Sequence, residues 1–160
     1  MPAPPSAYPA RLVTTPRKPA APRRAARAAR AADDAHLPRT MPTLRRVTTP
    51  QDTNLMGTVF GGAILAEIDL AAAIEAHKAH PGNVVTVAMD KVVFKRPIFV
   101  GDLVSYYTET VRRGTTSVTV RVAVWAERRQ PPRDTVPVTE AIVTMVAVDD
   151  ALNPVPLRGD

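Results

Sequence analysis

Hydrophobic residues follow two different periods along this chain, one helical and one extended. In residues 61–79, apolar side chains cover most of the circumference of a helix, which predicts a helix surrounded by other structure. Four later segments alternate apolar and polar positions with a period of two, and they predict strands at about 84–94, 103–112, 117–128 and 138–148. A shorter strand is predicted from Thr43 to Thr48 or Thr49, where Pro50 ends it.

The third of the four later strands has the clearest pattern, because four valines share one face: Val118, Val120, Val122 and Val124. Turn residues at 97–101, 113–114 and 130–137 separate the strands, and they predict that successive strands are antiparallel neighbours. One long helix followed by antiparallel strands predicts an α+β fold. The helix is expected to pack against the concave face of a curled sheet.

Residues 1–40 differ in composition from the rest of the chain. They hold eight of the 17 prolines, eight Lys or Arg against two Asp, and no glycine. Such a composition buries too little surface to offset the entropy of ordering, so we predict a disordered basic tail at 1–40 and one folded domain at 41–160. Other interpretations of the tail stay open: an upstream start codon with Met41 as the true beginning, an arginine-rich transit peptide, or a nucleic-acid-binding segment.

The formal net charge of +6 belongs entirely to that tail, because residues 41–160 contain 13 basic and 13 acidic residues. For the folded domain we therefore expect no nucleic-acid partner. Cysteine is absent, which excludes disulfides, thiolate metal ligands and a cysteine nucleophile. The sequence has no apolar run long enough for a membrane span and no apolar core of a secretory signal, so we expect a soluble, cytoplasmic protein with no membrane partner.

One acidic residue stands out within the predicted helix. At 100° per residue, Glu67, Glu75 and Lys78 fall on one side, while Asp69 lies roughly 200° from Glu67 among small apolar side chains. This pattern predicts that Asp69 faces the packed side of the helix. An unpaired buried charge costs several kcal/mol, roughly, so Asp69 is expected to have either a fixed partner or a reactive function.

Several motifs together resemble those of the YciA-type acyl-CoA thioesterases, which have the hotdog fold. The matching residues, in order, are Asn54, Gly57, the Val59-Phe60-Gly61-Gly62 run, Asp69, Val84-Val85-Thr86-Val87, Phe94-Lys95-Arg96-Pro97, Gly101-Asp102 and Gly114-Thr115-Thr116-Ser117. The resemblance covers about residues 43–150. It implies a single hotdog domain, hydrolysis of acyl-CoA to a free acid and coenzyme A, and no metal or other cofactor. It also implies that two domains pair through their sheets with each active site at the seam, giving a homodimer or a larger assembly such as a trimer of dimers.

The same resemblance implies four catalytic residues. Asp69 would act as the general base or as the nucleophile, and its alternative is a core carboxylate held by neighbouring donors. Gly61 and Gly62, at the helix start, would polarise the thioester carbonyl with backbone amides, and their alternative is tight packing. Asn54 would orient water or the thioester, and its alternative is a turn residue. Asp52 is expected to serve the local turn instead.

Coenzyme A carries phosphates, so cations are expected at the mouth of the site. Lys95 and Arg96 on one side, and Arg112 and Arg113 on another, stand at strand ends, although ordinary solvated charge would explain them equally. Gly114, Thr115, Thr116 and Ser117 resemble the family segment along the pantetheine arm and would otherwise be a plain hairpin turn. Phe60 completes the residues assigned to substrate binding.

The histidines of the sequence do not form a recognisable metal site. His77 and His80 stand at the end of the predicted helix and are expected to face solvent or the helix C-terminus, and no third ligand accompanies them at a useful spacing for a metal. The alternative function is a non-catalytic hotdog module that binds acyl-CoA as a sensor. A hotdog hydratase would need a catalytic His near the helix start, where the chain has none.

Overall fold

The computed structural model describes residue 38 and residues 40–90 and 92–158. These residues form one α-helix and five strands: β1 (Leu44–Val47), α1 (Gly61–Ala76), β2 (Asn83–Asp90), β3 (Leu103–Arg113), β4 (Ser117–Glu127) and β5 (Thr135–Val148). The predicted tail lies outside the described residues except for positions 38 and 40. The α+β prediction is confirmed, since one helix packs against a curled antiparallel sheet in the arrangement of the hotdog fold.

The strand order across the sheet is β1-β3-β4-β5-β2, and every neighbouring pair is antiparallel. The predicted neighbours β3, β4 and β5 are confirmed, but the prediction that β2 adjoins β3 is wrong. Strand β2 pairs with β5 instead, from Asn83 opposite Val148 to Asp90 opposite Ile142. Turn residues show where a strand ends, whereas the long connection before Leu103 allows the chain to cross to the far side of the sheet. Strand β2 is therefore an edge strand.

The core lies between α1 and the concave face of the sheet. The four alternating valines of β4 are all buried, with 0–1% of their surface exposed. The helix contributes Ile64, Ile68, Ala71, Ala72 and Ala76 to the same core. Burial of one such large aliphatic side chain is worth about 1.5–3 kcal/mol, so this layer fixes the helix on the sheet.

The helix is shorter than predicted. It ends at Ala76 instead of residue 79, and a turn carries the chain on to Pro81. At 1.5 Å per residue its 16 residues span roughly 24 Å. Among the residues that the structure describes, no helix is both long and apolar enough to cross a bilayer.

Candidate active site

The start of α1 presents unpaired backbone amides. Phe60 is the N-cap residue and provides no side-chain hydrogen bond to the helix. Within the described part of the chain, the amides of Gly61 and Gly62 donate to no backbone carbonyl, while Phe60 donates to the Asp52 carbonyl at 2.7 Å. Unpaired amides at a helix start carry partial positive charge, so this position can bind a carbonyl oxygen that gains negative charge.

The two glycines differ in the space around them. A Cβ atom on Gly62 would lie 2.3 Å from Cε1 of Phe60, whose ring folds back over this residue. A Cβ atom on Gly61 would lie 3.5 Å from Phe94, which is an ordinary contact. A side chain at position 62 would therefore require the ring of Phe60, which is 60% exposed, to move, whereas one at position 61 would not.

A cleft of about 290 Å³ opens beside Gly61. Its lining includes Thr58 and Val59 from the preceding loop, and Lys95, Arg96 and Pro97 from the segment that follows β2. The structure thus brings together Gly61 and one of the two predicted pairs of cations. The backbone of Lys95 is held by a hydrogen bond from its amide to the carbonyl of Val138, at 2.8 Å.

Asp69 lies near the middle of α1, beside edge strand β2. Its carboxylate accepts a hydrogen bond from the hydroxyl of Thr86 at 2.5 Å, and the residue is half-buried. Asp69 thus faces the edge of the sheet, and the predicted packed side is only partly covered in the single chain. A helical wheel gives relative directions only, and the small side chains that suggested the packed side occur on both faces, since Ala66 is exposed and Ala72 is buried.

Glu75, which the sequence assigned to the opposite side from Asp69, is the buried acid of the helix. It has 7% of its surface exposed, and its carboxylate accepts hydrogen bonds from Lys78 at 2.6 Å, Thr108 at 2.8 Å and Thr110 at 3.2 Å. Burial raises the pKa of Glu75, but the ion pair and hydrogen bonds to Lys78 and the hydrogen bonds from both threonines outweigh it, so the net pKa is lowered. Glu75 is thus a charged residue of the core.

Asn54 organises the loop before the helix. Its amide nitrogen donates to the hydroxyl of Thr58 at 2.9 Å, and its amide oxygen accepts from the backbone amides of Met56 at 2.9 Å and Thr58 at 3.3 Å. Both ends of the side chain are therefore used within the loop, which agrees with the turn alternative. A contact of Asn54 with substrate stays a prediction.

Asp52 serves local structure, as expected, but in the opposite direction along the chain. It accepts from the amide of Thr49 at 2.7 Å and pairs with Arg46 at 2.6 Å, because it ends a short 3-10 turn that begins after Thr49. The pKa of Asp52 is lowered by the Thr49 amide and, against the opposing effect of burial, by Arg46. Arg46 also pairs with Glu67 at 3.1 Å, which links this turn to the helix.

The remaining predicted substrate-binding residues lie at the other end of the helix. A guanidinium nitrogen of Arg113 donates to the carbonyl of Ala79 at 3.3 Å. The hairpin Gly114-Thr115-Thr116-Ser117 follows directly, and the carbonyl of Thr115 accepts from Leu157 at 2.8 Å. In a single chain, this hairpin and Gly61 are therefore roughly one helix length apart. The candidate residues of one chain do not all lie in one site.

The two histidines at the end of the helix have different environments. His77 is exposed, as predicted, but His80 has only 4% of its surface exposed and its Nδ1 accepts from the amide of Arg158 at 3.4 Å. Solvent exposure, one of the two predicted environments, does not hold for His80, because the C-terminal segment lies over it. Its place at the helix C-terminus, where its amide donates to the carbonyl of Ala76 at 3.1 Å, agrees with the other. No cluster of three metal-ligating side chains occurs among the described residues.

Two residues near the site carried no clear signal in the sequence. Thr86 is the polar member of the Val84-Val85-Thr86-Val87 run, and only the strand pairing shows that it meets Asp69. Arg128 forms an ion pair with Asp102 across two loops that are 26 residues apart. A polar residue inside an apolar strand is the one feature that could have singled out Thr86.

Comparison with known proteins identifies the family. The family model described as the thioesterase superfamily matches residues 56–132. The acyl-CoA thioester hydrolase YciA of Salmonella typhimurium is 40% identical over 116 residues, which are 71% of this chain and 87% of that protein. A hexameric hotdog-fold thioesterase of Campylobacter jejuni is 45% identical with a TM-score of 0.71, covering 74% of this chain and 91% of that one.

A further solved structure is an acyl-CoA hydrolase of Staphylococcus aureus in complex with butyryl coenzyme A, coenzyme A and coenzyme A disulfide. It is 35% identical with a TM-score of 0.65, and covers 72% of this chain and 70% of that one. The chain belongs to the hotdog-fold thioesterase superfamily, as a member of its YciA-type acyl-CoA thioester hydrolases. The resemblance drawn from the motifs is thereby confirmed.

Proposed function

We propose that this chain hydrolyses acyl-CoA thioesters to a free carboxylic acid and coenzyme A. The observation that carries the proposal is the uncapped start of α1, where Gly61 lines a cleft together with Lys95 and Arg96, and the unpaired amides of Gly61 and Gly62 follow one another. Those amides would bind the thioester oxygen as it gains negative charge, and the cations would meet the phosphates of coenzyme A. The names of the related proteins support the same reaction.

Asp69 is the proposed catalytic carboxylate. As a base, it takes a proton from water, the resulting hydroxide attacks the carbonyl carbon, the carbon–sulfur bond breaks, and the thiolate leaves and is protonated. As a nucleophile, its oxygen attacks the same carbon to give a mixed anhydride with release of the thiolate, and water then hydrolyses the anhydride. Thr86 donates to one oxygen of Asp69, which orients the carboxylate in either scheme.

Asp69 and Gly61 cannot act on one thioester from the same chain. They are eight residues apart on the helix, which is roughly 12 Å along its axis. Within the described residues, strand β2 pairs with β5 only, so its other edge is open beside Thr86 and Asp69, and Val87 on this strand is 57% exposed. We propose that a second copy pairs with this edge and brings its own helix start to Asp69, in a homodimer or a larger assembly. Similar structures are hexameric.

The same pairing would also bring together the two groups of predicted substrate-binding residues, which lie at opposite ends of the helix in a single chain. Since antiparallel copies reverse the helix direction, the Gly114–Ser117 hairpin of one copy would lie at the same end as Lys95 and Arg96 of the other. A substrate as long as coenzyme A could then contact both groups. Binding of the substrate at the seam between two chains follows from this arrangement.

Release of free thiol from a panel of acyl-CoAs tests the proposal. The wild-type protein should hydrolyse at least one of them, and Asp69→Asn should still bind coenzyme A while its kcat falls at least about a hundredfold. Equal turnover by both proteins would remove Asp69 from the mechanism. If the wild type binds acyl-CoA but hydrolyses none of the panel, the sensor function is the better account.

A further inference from the structure

Two loops meet around one buried carboxylate near the start of α1. They are residues 97–102, which precede β3, and residues 128–134, which connect β4 to β5. Asp102 lies between them with 2% of its surface exposed. It accepts hydrogen bonds from the backbone amides of Phe99 at 3.0 Å and Arg129 at 3.2 Å, and it forms an ion pair with Arg128. Both loops thus supply donors to the same carboxylate, which offsets the cost of burying it.

Arg128 contacts the first loop in three ways. One guanidinium nitrogen pairs with Asp102, and the other donates to the carbonyl of Pro97 at 2.8 Å. The guanidinium also lies over the ring of Phe99, 5.1 Å from its centroid. A planar group with several donors can make these contacts together, whereas the single ammonium of a lysine cannot.

These contacts help to fix the backbone that carries the two cations of the cleft. The segment Lys95-Arg96-Pro97 is held at one end by the hydrogen bond from Lys95 to Val138, and at the other by the hydrogen bond from Arg128 to Pro97. The next residue, Ile98, accepts from the amide of Val59 at 2.8 Å, which joins the segment to the loop before the helix. The residues that bond to Lys95 and Pro97 are thus Val138 of β5 and Arg128 of the connection from β4 to β5.

Direct binding of phosphate by Arg128 is not supported by its surroundings. The cavity beside it, of about 430 Å³, is lined by Arg96 and Arg128 but also by Asp102 and Asp134. Two cations and two carboxylates balance one another, so the cavity has no excess of positive charge for an anion. Arg128 can therefore change the affinity for a phosphorylated ligand only through the position of the Lys95-Arg96-Pro97 segment.

We propose that Arg128 is a positioning residue for coenzyme A, because it holds Lys95 and Arg96 where they meet the phosphates. This inference rests on the proposed function only for its choice of ligand. Loss of the contact to Pro97 leaves this end of the segment with the hydrogen bond from Val59 to Ile98 but without its bond at Pro97, and it lowers affinity for ligands that carry the nucleotide phosphates. The chemical step should change little, since Arg128 and Asp102 bond to the loops that carry the cleft and to neither Asp69 nor Gly61.

The experiment compares Arg128→Met and Arg128→Lys with wild type on two substrates that share one acyl group, namely the acyl-CoA and the corresponding S-acyl pantetheine, which lacks the nucleotide. For the acyl-CoA, KM should rise about five- to twentyfold in both variants with kcat within twofold. For the S-acyl pantetheine, KM should stay within twofold. Arg128→Lys retains the charge, and it tests the positioning role of Arg128 if Arg128→Met does not fold.

The matched control is Arg133→Met, which removes an exposed arginine from the same connection and should leave both KM values unchanged. The dissociation constant of coenzyme A, measured by calorimetry, provides a readout without turnover and should rise by the same factor as KM. An equal rise of KM for both substrates, or a fall in kcat with KM unchanged, would overturn the inference. If wild type shows no turnover, the proposed function fails, and the coenzyme A affinities still test Arg128.

Discussion

The two carboxylates of the helix, Asp69 and Glu75, have opposite environments. Glu75 is buried and accepts hydrogen bonds from three side chains, those of Lys78, Thr108 and Thr110. Asp69 is half-buried and accepts one hydrogen bond, from Thr86. A carboxylate with three fixed donors is stabilised in its charged form and has little capacity left for a ligand. A carboxylate with one orienting donor keeps lone pairs for water or substrate. The difference teaches that the number of fixed partners, rather than burial alone, separates the candidate catalytic acid from the structural one.

The largest effect is expected when each carboxylate is replaced by its amide. Asp69→Asn should lower kcat at least about a hundredfold and change the free energy of unfolding by less than about 1 kcal/mol. Glu75→Gln should leave kcat within about twofold, because Glu75 faces β3 instead of the open edge. Thiol-release kinetics and thermal unfolding of both variants measure the contrast. A similar loss of kcat in the two variants would erase the distinction drawn between the acids.

The second effect concerns stability. Glu75→Ala removes the acceptor for two partly buried hydroxyls and for the ammonium of Lys78, and should reduce the free energy of unfolding by about 2–3 kcal/mol. Asp69→Ala should reduce it by less than about 1 kcal/mol, since only the Thr86 hydroxyl loses a partner. Chemical denaturation with urea measures both values. Equal losses would mean that Asp69 is as much a part of the packed core as Glu75.

The third effect concerns the orientation of Asp69. Thr86→Val keeps the shape of the side chain but removes its donor, so kcat should fall by about three- to tenfold while KM changes little. Thr86→Ser retains a hydroxyl and should recover most of the loss. Steady-state kinetics of the two variants provide the check, and wild-type kcat in Thr86→Val would show that the hydrogen bond has no part in catalysis.

The smallest effect is the acid dependence of stability. Because the pKa of Glu75 is lowered in the folded state, its contribution is fully present above its unfolded pKa of about 4.3 and is lost as the pH falls through the lower folded value. The difference in unfolding free energy between wild type and Glu75→Gln should therefore shrink as the pH drops from 6 towards 3. A difference that stays constant over this range would contradict the lowered pKa.

Periodicity predicted much of the fold, because local patterns report local structure. The valines of β4 alternate, and all of them are buried. The position of β2 beside β5 could not be predicted in this way, since strand order depends on how the long connection to Leu103 crosses the sheet. The same non-local choice placed Thr86 next to Asp69.

The candidate site was predictable in its components but not in its assembly. Gly61, Lys95 and Arg96 share a cleft, as the motifs indicated. Asp69 is less buried than predicted, because a helical wheel does not show how far the edge of the sheet covers the helix. The burial of His80 at the helix C-terminus could not be predicted, because its cover comes from the distant residue Arg158. In both cases, residues far apart in the chain determine the surroundings of a side chain.

The length of the helix has a consequence for mixtures of altered chains. If each catalytic centre takes its carboxylate from one chain and its helix-start amides from another, a chain altered at Asp69 still offers intact amides. A chain with Gly61→Pro, which lacks that backbone N–H, still offers an intact carboxylate. Neither parent could turn over substrate alone. A hybrid of the two would regain one working centre out of two, so that activity would return on simple co-refolding of inactive proteins.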